Sequence, residues 1–139
     1  MSAFPRDRHD PSEFLRGFDS AQIRQDGNEV CISFPISGPE HDEMLVYFPG
    51  YKECPSPELL QLARETCMRI ADLDNIVQDS NEYECERTGY GVDDYAFHLA
   101  HIEIEANLVR LEYYGTKVNT QWAAEFRPTT EGCWTKLNF

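Results

Sequence analysis

The residues best suited to acid–base or metal chemistry lie between positions 98 and 105. His98 and His101 form an H-x-x-H motif, and His101, Glu103 and Glu105 recur at every second position. On a strand, residues two apart share a face, whereas residues three apart point to opposite faces. The alternation of apolar and polar residues here predicts a strand with His98 on its buried face. The two histidines are therefore not expected to share a metal ion.

His101, Glu103 and Glu105 are expected on the solvent side of this strand. Imidazole and carboxylate groups on one face could hold a metal ion or transfer protons. A solvated sheet face is the simpler interpretation of the same pattern. We therefore expect no catalytic residue, no metal and no other cofactor. A small enzyme or ligand-binding domain that uses these three residues stays open as an alternative.

A second group of carboxylates begins with Asp72, Asp74 and Asp79, which suggests a calcium loop. The EF-hand pattern fails, because Val77 stands where the glycine is required and Tyr83 where the bidentate glutamate is required. Neither of the glycine-rich phosphate-binding motifs, G-x-G-x-x-G and G-x-x-x-x-G-K-[ST], occurs in the sequence. These absences weaken the case for an enzyme.

Charge is the most informative property of the composition. The 139 residues contain 25 Asp and Glu against 12 Lys and Arg, a formal net charge of −13. A field of this sign repels nucleic acid and anionic membranes, and it accelerates encounter with a basic protein surface. We therefore expect a basic protein partner, no direct nucleic-acid binding and no membrane association.

The negative charge is densest between positions 72 and 94, where Tyr83 and Tyr90 are interspersed among the carboxylates and Tyr95 follows directly. A run of charge is often only a solvated face. Aromatic residues within a charged surface, however, frequently anchor protein interfaces. The predicted partner-binding residues are Asp72, Asp74, Asp79, Glu82, Tyr83, Glu84, Glu86, Tyr90, Asp93, Asp94 and Tyr95.

One strong helix is predicted over residues 57–77. Ser56 can cap its N-terminus, Pro57 suits the first helical position and Glu58 favours the positive end of the helix dipole. Apolar residues then recur at helical spacing as far as Val77. The polar segment 79–94 is predicted to be an exposed irregular connection.

The rest of the chain shows the period-two pattern of β-strands. The fold class predicted is α+β, with a mostly antiparallel sheet packed against one long helix. We expect a single domain over residues 1–139, with residues 1–12 forming a loose N-terminal arm. Trp122 is expected to be buried. The predicted strands span residues 21–25, 29–36, 44–48, 97–105, 108–114, 118–126 and 133–137, with turns at Asp26-Gly27 and at Asn107.

The cysteines and the N-terminus suggest a compartment. Five cysteines are widely spaced without a C-x-x-C motif, and the first ten residues lack the apolar region of a secretory signal. We therefore expect a cytoplasmic protein that keeps its thiols reduced.

A resemblance covers roughly the last quarter of the chain. The sequence YYGTKVNTQWAAEF at 113–126, followed by GCWTKLNF at 132–139, resembles the closing hairpins of small α+β immunity proteins of bacterial polymorphic toxin and contact-dependent inhibition systems. The shared features are an aromatic-Gly turn, an Asn-Thr-x-Trp strand and a final Gly-x-Trp strand. The resemblance implies a cytoplasmic protein that binds and neutralises a cognate toxin.

Three hypotheses therefore remain. The first is an immunity protein or inhibitor whose acidic surface blocks a basic toxin such as a nuclease. The second is an acidic mimic of nucleic acid that inhibits a defence nuclease, as anti-CRISPR proteins do. The third is the small enzyme or ligand-binding domain centred on His101, Glu103 and Glu105.

Overall fold

The computed structural model describes residues 9–37, 43–51, 53–88, 97–115, 121–129 and 134–138. Within these ranges only the backbone is described for Glu82, Glu84, Cys85, Glu86, Thr88, Phe97, Gly115, Trp122 and Asn138. The elements in chain order are α1 (Pro11–Ser20), β1 (Ile23–Asp26), β2 (Glu29–Pro35), β3 (Glu43–Phe48), α2 (Pro57–Met68), α3 (Ile70–Thr88), β4 (Phe97–Glu105), β5 (Leu108–Gly115), β6 (Gln121–Arg127) and β7 (Thr135–Asn138).

All seven described strands form one sheet, and their spatial order is the same as their order along the chain. Every neighbouring pair is antiparallel except β3 and β4, which run parallel and are connected through α2 and α3. A parallel pair needs such a crossover, because a tight turn can only reverse the chain. The prediction of an α+β fold with a mostly antiparallel sheet is confirmed.

The two faces of the sheet differ in character. A row of directly paired residues on one face is wholly buried, and this face packs against the helices. Burial of each large aliphatic side chain in it contributes about 1.5–3 kcal/mol to folding. The opposite side, which we call the outer face, carries polar and charged residues. The buried row consists of Ile32, Val46, Ile102, Leu111 and Ala124.

The helical part of the prediction needs correction. Instead of one helix over 57–77, the chain forms α2 and α3, which are separated at Arg69, where ψ is 6°. The Arg69 guanidinium lies 5.2 Å from the centre of the Trp134 ring, a cation–π contact with the residue before β7. The start was predicted correctly, because the Ser56 hydroxyl accepts a hydrogen bond from the Leu59 amide. The apolar stripe runs through the break, so the sequence pattern gives no sign of it.

The predicted irregular connection at 79–94 is wrong as far as Thr88, because α3 continues to that residue. The segment is polar but contains good helix formers such as glutamate and no glycine or proline before Gly89. Residues 89–96 lie outside the described residues. The acidic segment therefore begins on a regular helix and is not a free loop throughout.

The prediction of a loose N-terminal arm over residues 1–12 is wrong for residues 9–12. The Asp10 carboxylate caps α1 by accepting a 2.9 Å hydrogen bond from the Ser12 amide. The His9 ring packs edge-on against Phe14, and Phe14 packs in the same way against Phe34, both at 5.6 Å between ring centres. Residues 9–12 are thus fixed to the core, whereas residues 1–8 lie outside the described part of the chain.

Candidate functional site

A β-bulge at Ala100 decides where the two histidines of the H-x-x-H motif lie. His98 is paired with Tyr114 and His101 with Glu112, with a register shift between them. Because Tyr114 and Glu112 are two residues apart on β5, both histidines are on the outer face. The expectation that they point to opposite faces is therefore wrong. His98 is nevertheless buried, with its ring 5.9 Å from that of Tyr114.

The bulge also changes which residues of β4 reach the core. Leu99 is fully buried and pairs with Tyr113, and after the extra residue Ile102 and Ile104 occupy the same side. His101, Glu103 and Glu105 remain together on the outer face, as predicted. They are partly buried rather than freely solvated, as shown by a side-chain exposure of 31% for His101 and 21% for Glu103.

Arg110 is the centre of an ionic network on the outer face. Its guanidinium donates hydrogen bonds to Glu125 at 2.6 Å, to Glu103 at 2.9 Å and to Glu105 at 3.5 Å. Cross-strand pairing places Arg110 directly between Glu103 on β4 and Glu125 on β6. One cation therefore neutralises part of the charge of three carboxylates. Hydrogen bonds between charged groups of this kind are stronger than those between neutral groups.

Beside this network lies a group that we call the His101 triad, formed by His101, Glu103 and Glu112. One ligand atom from each residue lies within 4.8 Å of those of the other two. His101 Nε2 is 3.2 Å from Glu103 Oε2, and the edge of the Tyr47 ring packs on the imidazole at 5.2 Å between ring centres. The set contains one nitrogen and two carboxylate donors, a combination that binds divalent metal ions in proteins.

Two titratable groups of the outer face are perturbed by their surroundings. Partial burial raises the pKa of the Glu112 carboxyl, and the negative charge of Glu103 raises it further. Burial, together with the hydrogen bond that the Tyr47 hydroxyl donates to Asp26, raises the pKa of Tyr47 to about 12. The centre of this face is therefore a place where an additional negative charge is unfavourable.

Sequence reasoning missed two members of this site, Glu112 and Arg110. Both were interpreted only as polar residues of a strand, because the predicted turn at Asn107 was not used to derive the pairing of β4 with β5. Glu105, which was grouped with His101, contacts Arg110 instead. The pairing register across the β4–β5 turn is the signal that would have found Glu112.

The second candidate surface is the solvent-exposed side of α3, which we call the α3 face. Its two large apolar members are Ile76, 41% exposed, and Tyr83, 64% exposed. The exposed positions follow a spacing of three to four residues, so they form one stripe about 22 Å long at 1.5 Å per residue. The stripe consists of Asp72, Asn75, Ile76, Asp79, Tyr83 and Arg87.

The structure separates the predicted partner-binding residues into three groups. Asp72, Asp79 and Tyr83 are exposed on α3. Asp74 is 3% exposed and accepts a 2.6 Å hydrogen bond from the Tyr113 hydroxyl, so its assignment to an exposed surface is wrong. The backbone of Glu82, Glu84 and Glu86 belongs to α3, and Tyr90, Asp93, Asp94 and Tyr95 lie outside the described residues.

Two depressions in the described surface lie away from both candidate sites. One, of about 530 Å³, is between the start of α2 and the turn at Asn107, and it is lined by Glu58, Gln61 and Glu65. Another of about 530 Å³ lies between α1 and β2. Neither contains a residue of the His101 triad or of the α3 face, so neither adds to the chemistry of these two sites.

Two further properties are the state of the described cysteines and the length and polarity of the helices. Cys31, Cys54 and Cys67 are free thiols, and burial raises the pKa of Cys67 to about 12, which keeps this thiol protonated and unreactive. Among the described residues, none of the helices has both the length and the apolar character needed to cross a membrane.

No family model, no curated protein and no solved structure matches this chain.

Proposed function

We propose that this protein is an inhibitor that binds a basic protein partner through the α3 face, and that the partner is a bacterial toxin domain. The observation that carries the proposal is the exposure of two large side chains on one side of α3: Ile76 lies between Asp72 and Asp79, and Tyr83 lies one turn beyond Asp79. A large apolar or aromatic side chain within a polar rim is the usual composition of an interface anchor.

Charge determines the kind of partner. With a net charge of −13, the protein attracts basic surfaces over several ångströms and repels acidic ones. Carboxylates are costly to desolvate unless a cation meets them, so an acidic or apolar partner would bind poorly. A domain that acts on nucleic acid carries the basic surface that this field favours.

The α3 face is a better candidate than the outer face of the sheet. The described centre of the outer face consists of charged side chains, Arg110 with Glu103, Glu105 and Glu125, and this network contains no apolar anchor. On the α3 face the exposed apolar area of Ile76 and Tyr83 gains from being covered.

The toxin assignment rests on the resemblance of the last quarter of the chain to immunity proteins, together with the acidic charge. Under this proposal the protein acts in the cytoplasm, with its thiols reduced, and it sequesters a toxin that would otherwise damage its own cell. Binding, with no covalent chemistry, is sufficient for this function.

A capture experiment with matched variants tests the proposal. The full chain is immobilised, exposed to a host lysate, and the retained protein is identified and titrated against purified variants. Tyr83→Ala should weaken binding by about 30-fold, equivalent to about 2 kcal/mol, if Tyr83 is a main anchor. Ile23→Ala and Leu137→Ala remove exposed apolar side chains of β1 and β7, and they should leave the affinity unchanged.

The outcomes separate the hypotheses. A basic partner that stops growth when expressed alone, and not when co-expressed with this protein, supports toxin neutralisation. A basic nuclease without toxicity, displaced by duplex DNA, would instead indicate nucleic-acid mimicry. An acidic partner, or equal binding of all variants, would contradict the use of the α3 face.

A further inference from the structure

The His101 triad differs from an ordinary group of surface charges in its donor set and its position. His101 and Glu103 are on β4, and Glu112 is directly opposite His101 on β5. The three side chains lie on two hydrogen-bonded strands of the sheet, not on loops. Sites built on such elements hold their ligands more accurately than sites on loops.

From this arrangement we propose that His101, Glu103 and Glu112 form a binding site for one divalent transition-metal ion on the outer face of the sheet. The proposal replaces the expectation from sequence that the protein holds no metal. It is independent of the partner proposed above, because it uses a different surface and different residues.

The distances fit a shared ion. Two ligand atoms that are each 2.0–2.2 Å from a metal and subtend about 90–110° lie about 2.8–3.6 Å from each other. The separation of His101 Nε2 and Glu103 Oε2 is 3.2 Å, within this range. One carboxylate oxygen of Glu112 lies within 4.8 Å of a ligand atom of each of the other two residues, so Glu112 is close enough to be the third ligand.

The donor types define the class of ion. An imidazole nitrogen with two carboxylates suits zinc, cobalt, manganese or iron, whereas calcium and magnesium prefer oxygen ligands alone. Three protein ligands leave at least one coordination position for water. Water can reach the triad, because the side chains of His101 and Glu103 are 31% and 21% exposed.

Neighbouring residues already orient the ligands. Arg110 binds Oε1 of Glu103 at 2.9 Å, which leaves Oε2 directed at His101. The Tyr47 ring contacts the imidazole of His101 edge-on and restricts its rotation. Outer contacts of this kind position metal ligands in many proteins, and their loss typically costs 10–100-fold in affinity.

An ion would also relieve an unfavourable pairing of charges. Glu103 and Glu112 carry like charges at close range, and like charges that share a site destabilise each other. A divalent cation between them converts this repulsion into attraction. His101 would then coordinate through Nε2 as a neutral imidazole.

Cobalt(II) is the probe for the test, because its visible absorption reports coordination number and ligand type. The full chain, freed of metal with a chelator, should bind one equivalent in isothermal titration calorimetry, with a d–d absorption spectrum. His101→Ala and Glu112→Gln should each weaken binding at least about 10-fold. Far-UV circular dichroism checks whether each variant is folded. If His101→Ala does not fold, the conservative Glu112→Gln still tests the proposal.

Two matched controls distinguish the proposed site from adventitious binding. Glu105→Gln removes a carboxylate that contacts Arg110 but is outside the triad, and it should leave cobalt affinity unchanged. Cys54→Ser removes an exposed thiol and should have no effect. Absence of stoichiometric binding, a thiolate-to-cobalt charge-transfer band, or equal affinity of the wild type and His101→Ala would overturn the proposal.

Discussion

Asp74 shows at the scale of a single residue how burial changes the role of an acidic side chain. Its carboxylate is buried and accepts a 2.6 Å hydrogen bond from the Tyr113 hydroxyl, which connects α3 to β5. His9 Nε2 is 3.7 Å from the other carboxylate oxygen. A buried carboxylate needs hydrogen-bond donors such as the Tyr113 hydroxyl, so Asp74 contributes to the fold and not to a surface.

We predict that Tyr113→Phe destabilises the protein by about 1.5–3 kcal/mol, because it removes the donor to a buried charged acceptor. Urea unfolding followed by circular dichroism measures the change. Tyr83→Phe removes a hydroxyl from an exposed ring and should change the free energy of unfolding by less than about 0.5 kcal/mol. Equal effects of the two substitutions would show that the Tyr113 hydroxyl does not stabilise Asp74.

Tyr47 is predicted to make stability depend on alkaline pH. Its folded pKa of about 12 is above the ordinary value of 10.0. The neutral phenol is therefore favoured by folding, so this contribution is complete below about pH 10 and is lost as the pH rises toward 12. Between these pH values, the unfolding free energy of Tyr47→Phe should fall less steeply than that of the wild type.

Asp26→Asn provides the control for Tyr47. It removes the charge that accepts the phenol hydrogen bond at 2.9 Å, so the pKa of Tyr47 should move toward its ordinary value. Ultraviolet titration of the folded protein detects this shift as a tyrosine that ionises earlier. An alkaline titration curve that is identical in wild type and Asp26→Asn would contradict the assignment.

At the scale of elements, α1 depends on close contact with β2. A Cβ atom added at Gly17 would lie 2.6–2.8 Å from side-chain atoms of Phe34, which is fully packed beneath the helix. Glycine at this helical position is costly in conformational entropy. The close approach of α1 to the sheet explains why it is tolerated.

We therefore predict that Gly17→Ala destabilises the protein by about 1–3 kcal/mol, although alanine is the better helix former by about 1 kcal/mol. Combining it with Phe34→Leu should recover part of the loss, since the smaller side chain leaves room for the added methyl group. A double-mutant cycle of unfolding free energies measures this coupling. Stabilisation by Gly17→Ala alone would show that α1 is not held against Phe34.

At the scale of the whole molecule, charge opposes the compact state. Like charges at a net −13 repel one another more strongly when the chain is folded than when it is extended. The ionic network around Arg110 offsets this repulsion locally, on the outer face. The remaining repulsion is a property of the composition and is sensitive to dissolved salt.

Raising sodium chloride from about 0.01 M to about 0.3 M shortens the Debye length from about 30 Å to roughly 6 Å. We predict that this screening raises stability by about 1 kcal/mol, or about 3–5 °C in Tm. Differential scanning calorimetry measures the shift, and potassium chloride should reproduce it because screening does not distinguish the two cations. A Tm that falls with salt would mean that attractive ion pairs outweigh the net repulsion.

The same field predicts the behaviour of the complex. Replacing Asp72 and Asp79 together by asparagine should slow association with a basic partner and flatten its dependence on salt, with little change in dissociation rate. Stopped-flow or surface-plasmon measurements at several ionic strengths check this. An unchanged association rate would place the electrostatic contact on another surface.

The sequence by itself determined the features that depend only on residues close together along the chain. Alternation at period two predicted β4 at Phe97–Glu105, and the Ser56 cap with Pro57 predicted the start of α2. The turn at Asn107 was also predicted correctly, and its φ of 57° is the left-handed conformation that asparagine tolerates. Composition alone fixed the sign of the charge.

Only the tertiary structure decided the arrangement of the candidate sites. Arg69, where the helices are separated, contacts Trp134, which is distant in sequence, and Ala100 becomes a bulge only through the register of β4 against β5. The burial of Asp74 against Tyr113 depends on the packing of α3 on the sheet. Periodicity predicts which face a residue occupies only while the strand is regular, and the bulge at Ala100 puts His98 on the other face from the one predicted.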